Sequence, residues 1–263
     1  MAVAKYTLRQ SDPFENGSSI NRSIFYQFQR RKLFGEQDGD KFSKKRISYQ
    51  SSGGDVVIEA KGSFIRKDGE NSWSKPSHEG IVKKITYKYT DPVTGFVSSA
   101  SISKISLEIG EITSGDDGSF AELMFAGNDK IKIKGLVNKL KVEKTGFDAL
   151  DEAAVNRGLV LHPFKSYAGD DKITVSGDLR VGIYGGRGID NFTNSMTKKS
   201  SVFPEISIYD AELGESMKVK GLNDGWDLFG GETSWSIYKE GEATNSGRIA
   251  TVIGAKSSEF DIF

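Results

Sequence analysis

The chain contains no cysteine, so disulfide cross-links, thiolate metal centres and cysteine nucleophiles are excluded. Histidine is nearly as scarce. His78 and His162 stand far apart, and neither belongs to a paired-histidine metal motif or a serine-hydrolase arrangement. Excess charge of either sign is missing too. The 36 basic and 36 acidic residues cancel, which removes the electrostatic footprint of a nucleic-acid binder. The basic residues Arg30, Arg31, Lys32, Lys41, Lys44, Lys45 and Arg46 are diluted by Glu36, Asp38 and Asp40. No nucleic-acid partner is expected. There is no apolar run of about 18 residues, so no transmembrane segment is expected. The stretch Met1 to Arg9 lacks the apolar centre of a secretory leader. No nucleophile elbow and no phosphate-cradling glycine loop followed by Lys-Ser/Thr occurs, and a non-enzymatic role is the expectation.

Glycine, by contrast, is abundant: 30 residues against 5 prolines, with 11% aromatics, a composition suited to an all-β chain with many tight turns. At 263 residues the chain can bury a sizeable core. Three regions follow. Residues 1–50 are polar and charged and read as a partly mobile arm. Residues 51–116 read as a small antiparallel β region: Ile85, Tyr87 and Tyr89 alternate with Lys84, Thr86 and Lys88, and Ile105, Leu107 and Ile109 alternate with Lys104, Ser106 and Glu108. Asp91-Pro92-Val93-Thr94-Gly95 between them is a turn by its chemistry. Residues 117–263 carry short alternating runs closed by Gly or Asp, among them Ile131-Lys-Ile133, Leu140-Lys-Val142, Ile173-Thr-Val175 and Leu179-Arg-Val181-Gly-Ile183. Such short runs suit the rungs of a parallel β-roll or β-helix. Ser119 to Phe125 is expected to form one or two helical turns over the open end of that coil, and residues 147–156 are helix-prone.

Four segments in this last region share the form Gly-x-Asp-x-apolar: Gly127-Asn128-Asp129-Lys130-Ile131, Gly169-Asp170-Asp171-Lys172-Ile173, Gly188-Ile189-Asp190-Asn191-Phe192 and Gly225-Trp226-Asp227-Leu228-Phe229. The third extends leftward through Gly185, Gly186 and Arg187 to a full Gly-Gly-x-Gly-x-Asp-x-apolar unit. Glycines open backbone conformations that let a turn aim carbonyl oxygens at one point. The aspartate adds a hard anionic oxygen, and the apolar residue starts an inward-facing strand. The aspartates fall 42, 19 and 37 residues apart, near multiples of an 18-residue coil once an insertion is allowed in the first gap.

On these segments the chain resembles the hemolysin-type calcium-binding (RTX) family, over roughly residues 117–231. The resemblance implies a calcium cofactor. It also implies side-chain ligands at Asp129, Asp171, Asp190 and Asp227, with carbonyls around Gly127, Gly169, Gly185, Gly186, Gly188 and Gly225. The ending Glu259-Phe260-Asp261-Ile262-Phe263 is similar to the uncleaved signal of type I secretion substrates, which implies an extracellular or cell-surface location. The expected protein is a secreted calcium-binding structural, surface-assembly or adhesion protein, with self-assembly, a cell surface or a polysaccharide as its partner. Two alternatives stand beside it. One is a β-helical polysaccharide lyase or epimerase using Lys132, Lys141 or Arg180; the other is a structural solenoid subunit whose turns hold no ions.

Overall fold

The computed structural model describes residues 1–10, 41–50, 54, 56–67, 77–90, 95, 97–108, 119–137, 159–177, 179–195, 204–220, 225–241 and 248–263. The described chain is nearly all β, in two mixed sheets, as the composition predicts. Its strands are β1 (Val3–Gln10), β2 (Lys41–Ser43), β3 (Arg46–Gln50), β4 (Val56–Lys67), β5 (Ser77–Thr90), β6 (Val97–Glu108), β7 (Lys130–Val137), β8 (Leu159–Lys165) and β9 (Lys172–Gly177). They continue as β10 (Leu179–Tyr184), β11 (Asn191–Ser195), β12 (Glu205–Ile208), β13 (Ser216–Lys220), β14 (Trp226–Gly230), β15 (Ser234–Lys239), β16 (Arg248–Ile253) and β17 (Asp261–Ile262). A single short helix, α1 (Ser119–Met124), is described and lies within the segment expected to be helical. The helix-prone 147–156, Leu140 to Val142 and the turn residues 91–94 lie outside the described residues.

The larger sheet runs β17-β13-β11-β9-β7-β1-β6-β5-β4-β3-β2, and the smaller β14-β15-β16-β12-β10-β8. Strands β4 to β6 pair antiparallel, as the alternation over 51–116 predicts, and β2 and β3, from the segment expected to be an arm, extend the same antiparallel block. In β6 the buried set steps from Ser98, Ala100 and Ile102 to Ile105 and Leu107, an odd-numbered jump. Lys104, with φ of 61°, sits in that jump beside a register shift between β5 and β6. A bulge there restores the inward phase.

The first residues depart from the expected arm. Strand β1 lies between β6, to which it is antiparallel, and β7, to which it is parallel. Ala4 and Tyr6 are buried. The antiparallel and parallel regions are therefore one continuous sheet joined through residues 3–10. A short alternating run flanked by charges looked like solvated chain, because β1 finds its partners about 100 residues later.

From β7 onward the strands alternate between the sheets: β7, β9, β11, β13 and β17 join the larger, and β8, β10, β12 and β16 join the smaller, each parallel to the one before. In-register stacking lines identical faces. Ile131, Ile173, Phe192 and Met217 form one inward row of the larger sheet; Phe164, Ile183, Ile208 and Val252 form one of the smaller. The two sheets share one core. Tyr6 and Phe164 cross between them edge to face, ring centres 5.7 Å apart, and the Asn194 amide donates to the carbonyls of Pro204 and Ile249 at 2.6 and 3.0 Å.

The two kinds of connection differ. From the smaller sheet back to the larger the chain uses residues 166–171, 185–190, 209–215 and 254–260, six or seven each time. In the other direction it uses 138–158, 178 alone, 196–204 and 221–247, the last containing the β14-β15 hairpin. The corners from the smaller sheet back to the larger keep a nearly constant length, and they carry the glycines and acids.

Candidate functional site

Register places the residue before each parallel strand of the larger sheet in one column. Lys130, Lys172, Asn191, Ser216 and Asp261 are aligned, so Asp129, Asp171, Asp190, Glu215 and Phe260 stack directly before them, with Ala2 at the other end before Val3. Neighbouring rungs are about 4.8 Å apart. Asp129 is 3% exposed, and Asp171, Asp190 and Glu215 are fully buried.

Each aspartate in the column reaches back one rung. The Ala2 amide donates to Asp129 Oδ1, the Asp129 amide to Asp171 Oδ1 at 2.7 Å, and the Asp171 amide to Asp190 Oδ1 at 2.8 Å. One residue earlier the bonds run the opposite way, from the later rung to the earlier: the Asp170 amide donates to the Asn128 side-chain carbonyl oxygen at 3.1 Å and the Ile189 amide to Asp170 Oδ1 at 2.9 Å. At the head of the corner the amides of Gly185 and Gly186 donate to the two oxygens of Asp210, at 2.8 and 3.0 Å. These bonds satisfy amides that the turn turns away from the sheets.

The second oxygens are the unusual feature. Oδ2 of Asp129, Asp171 and Asp190 and both carboxyl oxygens of Glu215 are buried without a hydrogen-bond partner. The Ser166 hydroxyl is beside Asp171, but its proton goes to the Gly185 carbonyl at 2.8 Å. A buried carboxylate short of donors is costly when charged. Burial accordingly pushes the Asp129 carboxyl up, and those of Asp171 and Asp190 up to about 7. Glu215 is pushed up to about 8, first by burial and then by Asp190, Asp210 and Glu212. Asp190 also faces Asp210, Asp170 and Glu212. A strongly acidic spot therefore sits in a chain of zero net charge.

Three of the four motif aspartates thus come together. Gly127, Gly169 and Gly188 stack one rung apart, two residues before them, and Gly185 and Gly186 open the corner. Arg187 and the lysines 130 and 172 are exposed, so none of these three motif cations fills the column. The fourth copy is different. Gly225 and Asp227 belong to the β14-β15 hairpin: the Gly225 amide donates to Glu240 and Asp227 accepts from the Gly241 amide at 2.9 Å. Leu228 and Phe229 are 40% and 48% exposed rather than inward. The 37-residue gap is therefore no double turn of the coil. The fourth rung is Gly214-Glu215-Ser216-Met217, 25 residues below the third, with glutamate in place of aspartate and its glycine shifted by one position. An acid two residues before an inward apolar residue was its only sequence signal. Asp210 had none, since it acts on a neighbouring rung.

The donor set is all hard oxygen, suited to calcium. Among the described residues no three His, Cys, Asp or Glu side chains converge on one point as a ligand set, so a bound ion would draw on two neighbouring carboxylates and on corner carbonyls. The lysine and arginine of the lyase alternative do not converge: Lys132 is exposed on β7 of the larger sheet, Arg180 on β10 of the smaller is paired with Glu205 at 3.0 Å, and Lys141 lies outside the described residues. No helix among the described residues is long and apolar enough to cross a membrane. No protein-family model, no curated protein and no solved structure matches the chain.

Proposed function

We propose that residues 117–263 form a degenerate parallel β-roll of the hemolysin-type kind, serving outside the cell as a structural or adhesive scaffold whose acid column takes calcium. The observation that carries this reading is the row of buried carboxyl oxygens without donors on successive rungs of a corner of nearly constant length. A neighbouring pair from the column Asp129, Asp171, Asp190 and Glu215, together with corner carbonyls, would hold each ion, which supplies positive charge beside the buried carboxyls. Extracellular calcium is abundant enough to load sites of millimolar affinity. An ion that binds only the folded chain stabilises it by mass action, which suits a protein exported before it folds.

In calcium at a hundred times its dissociation constant, each independent site adds about 2.7 kcal/mol. For a chain of this size one site should raise the melting temperature by about 5–10 °C. Superimposable melting curves in calcium and in chelator would overturn the reading. The site ranking has its own check: by isothermal titration, Asp190→Asn should lose most of the calcium response and Asp227→Ala should keep it. Equal losses would show that the column is not where the ion sits.

A further inference from the structure

A sheet is open wherever its outermost strand has a free edge. The larger sheet ends on β17 and β2, and the smaller on β14 and β8. Three of these ends are blunted. Strand β2 is three residues long and runs straight into Lys44 and Lys45, β17 is two residues long, and β8 carries Pro163, which has no amide to offer. Strand β14 has none of these protections. It is five residues long and free of proline, and its Trp226, Leu228 and Phe229 are 38%, 40% and 48% exposed. Among the described residues no strand pairs with its outer side.

The backbone groups on that edge follow from the register with β15. The Glu240 amide donates to the Gly225 carbonyl and the Gly231 amide to the Ser234 carbonyl, so the odd-numbered residues of β14 direct their amides and carbonyls at β15. Those of Trp226, Leu228 and Gly230 therefore point away from the sheet. An antiparallel copy of the same strand, placed with Leu228 opposite Leu228, meets all three in phase: each Trp226 then faces a Gly230, and each facing pair exchanges its amide and carbonyl bonds. The side chains fit in that register too. Trp226, Leu228 and Gly230 lie on the same face as Ile237, where each indole would have the empty flank of a glycine beside it and the two leucines would touch. On the other face Asp227 would stand opposite Phe229, and the two Asp227 carboxylates would lie only diagonally, about 7–8 Å apart.

We propose that β14 is a self-association edge, on which two copies of this chain pair about a two-fold axis through Leu228 and join their smaller sheets into one. The occupant is a second copy because the edge is complementary to itself in hydrogen-bond phase and in side-chain volume. An edge of this length covers less than the roughly 800 Å² per partner of a standard stable interface, so the dimer is weak, with a dissociation constant of about 10–100 μM. The edge lies apart from the acid column and needs no calcium.

Sedimentation equilibrium of the full chain is measured in chelator at pH 6, where burial keeps Asp171, Asp190 and Glu215 protonated. A failed calcium response and a failed association are thereby read independently. Between about 1 and 500 μM the mass should rise from monomer toward dimer and no further, because a two-fold edge closes on itself. Leu228→Lys and Leu228→Glu each set like charges face to face at the axis, on a side chain already half-exposed, and should weaken association at least about tenfold with melting curves close to that of the parent. Mixed in equal amounts, the two variants should associate at least about tenfold more tightly than either alone, since only this register brings residue 228 against itself. A monomer at every concentration overturns the proposal, as do growth beyond the dimer, undiminished association of both variants, or a mixture no tighter than its components.

Discussion

Gly186→Ala is expected to be the most damaging single substitution in the corner. Gly186 has φ of +85°, a region that alanine enters at a cost of about 1 kcal/mol. Its missing side chain also matters more than its backbone freedom. A β-carbon there would point into the Tyr167 carbonyl of the rung above, a backbone atom that cannot turn aside. The Tyr167 carbonyl accepts from the Arg187 amide at 3.0 Å, so moving it apart breaks the stacking of corner on corner. The expected loss is roughly 2–4 kcal/mol, combining strain with overpacking. Gly241→Ala provides the contrast, since that glycine has a similar φ of 75° but open space around it; it should lose only about 1 kcal/mol. Urea denaturation of the two variants measures the difference. Equal losses would show that rung-to-rung contact at the corner contributes little.

The second large effect is with pH. In chelator, the protein should become more stable as the solution is acidified from about pH 8.5 to pH 5. Asp171 and Asp190 are raised from 3.8 to about 7 in the folded chain, and Glu215 from 4.5 to about 8, with burial the first cause for each. The folded chain therefore holds protons that the unfolded chain has released between those values. Their stabilisation is fully present below about pH 4 and is lost as the pH rises through 7 to 8. One carboxyl moved by about three units is worth about 4 kcal/mol across that window. Under the proposed calcium reading, protons and calcium would compete for the same oxygens, so the calcium effect should be largest above pH 8 and fade toward pH 5. Urea midpoints in chelator at pH 5, 7 and 8.5 test this, with Asp190→Asn expected to flatten the profile. A midpoint that is level or falls on acidification would show that the column already holds stable charges.

Much of the framework was legible because its causes are local. Glycine and aromatic content, period-two alternation in β5, β6, β7 and β9, and the Gly-x-Asp-x-apolar form each reflect a constraint within a few residues. Asp129, Asp171 and Asp190 could be found together, since each carries its own turn and its own strand. Glu215 and Asp210 could not. Glu215 stands in the column only because β13 pairs with β11 in that register, and Asp210 serves amides of a rung 24 and 25 residues earlier. Asp227 shows the reverse error, a local pattern that fits while its strand pairs backwards in a hairpin.

By itself the sequence determined that the chain is β-rich, that its corners turn at glycine, and where acids precede inward apolar residues. Tertiary structure alone decided which acids share a column, that residues 3–10 join the two halves of the larger sheet, and that Arg180 and Arg248 share Glu205. The reason is physical: hydropathy and turn chemistry act within a strand, whereas register between strands is set by the packing of whole faces. Burial, which gives the carboxyls their unusual protonation, does not exist until those faces meet.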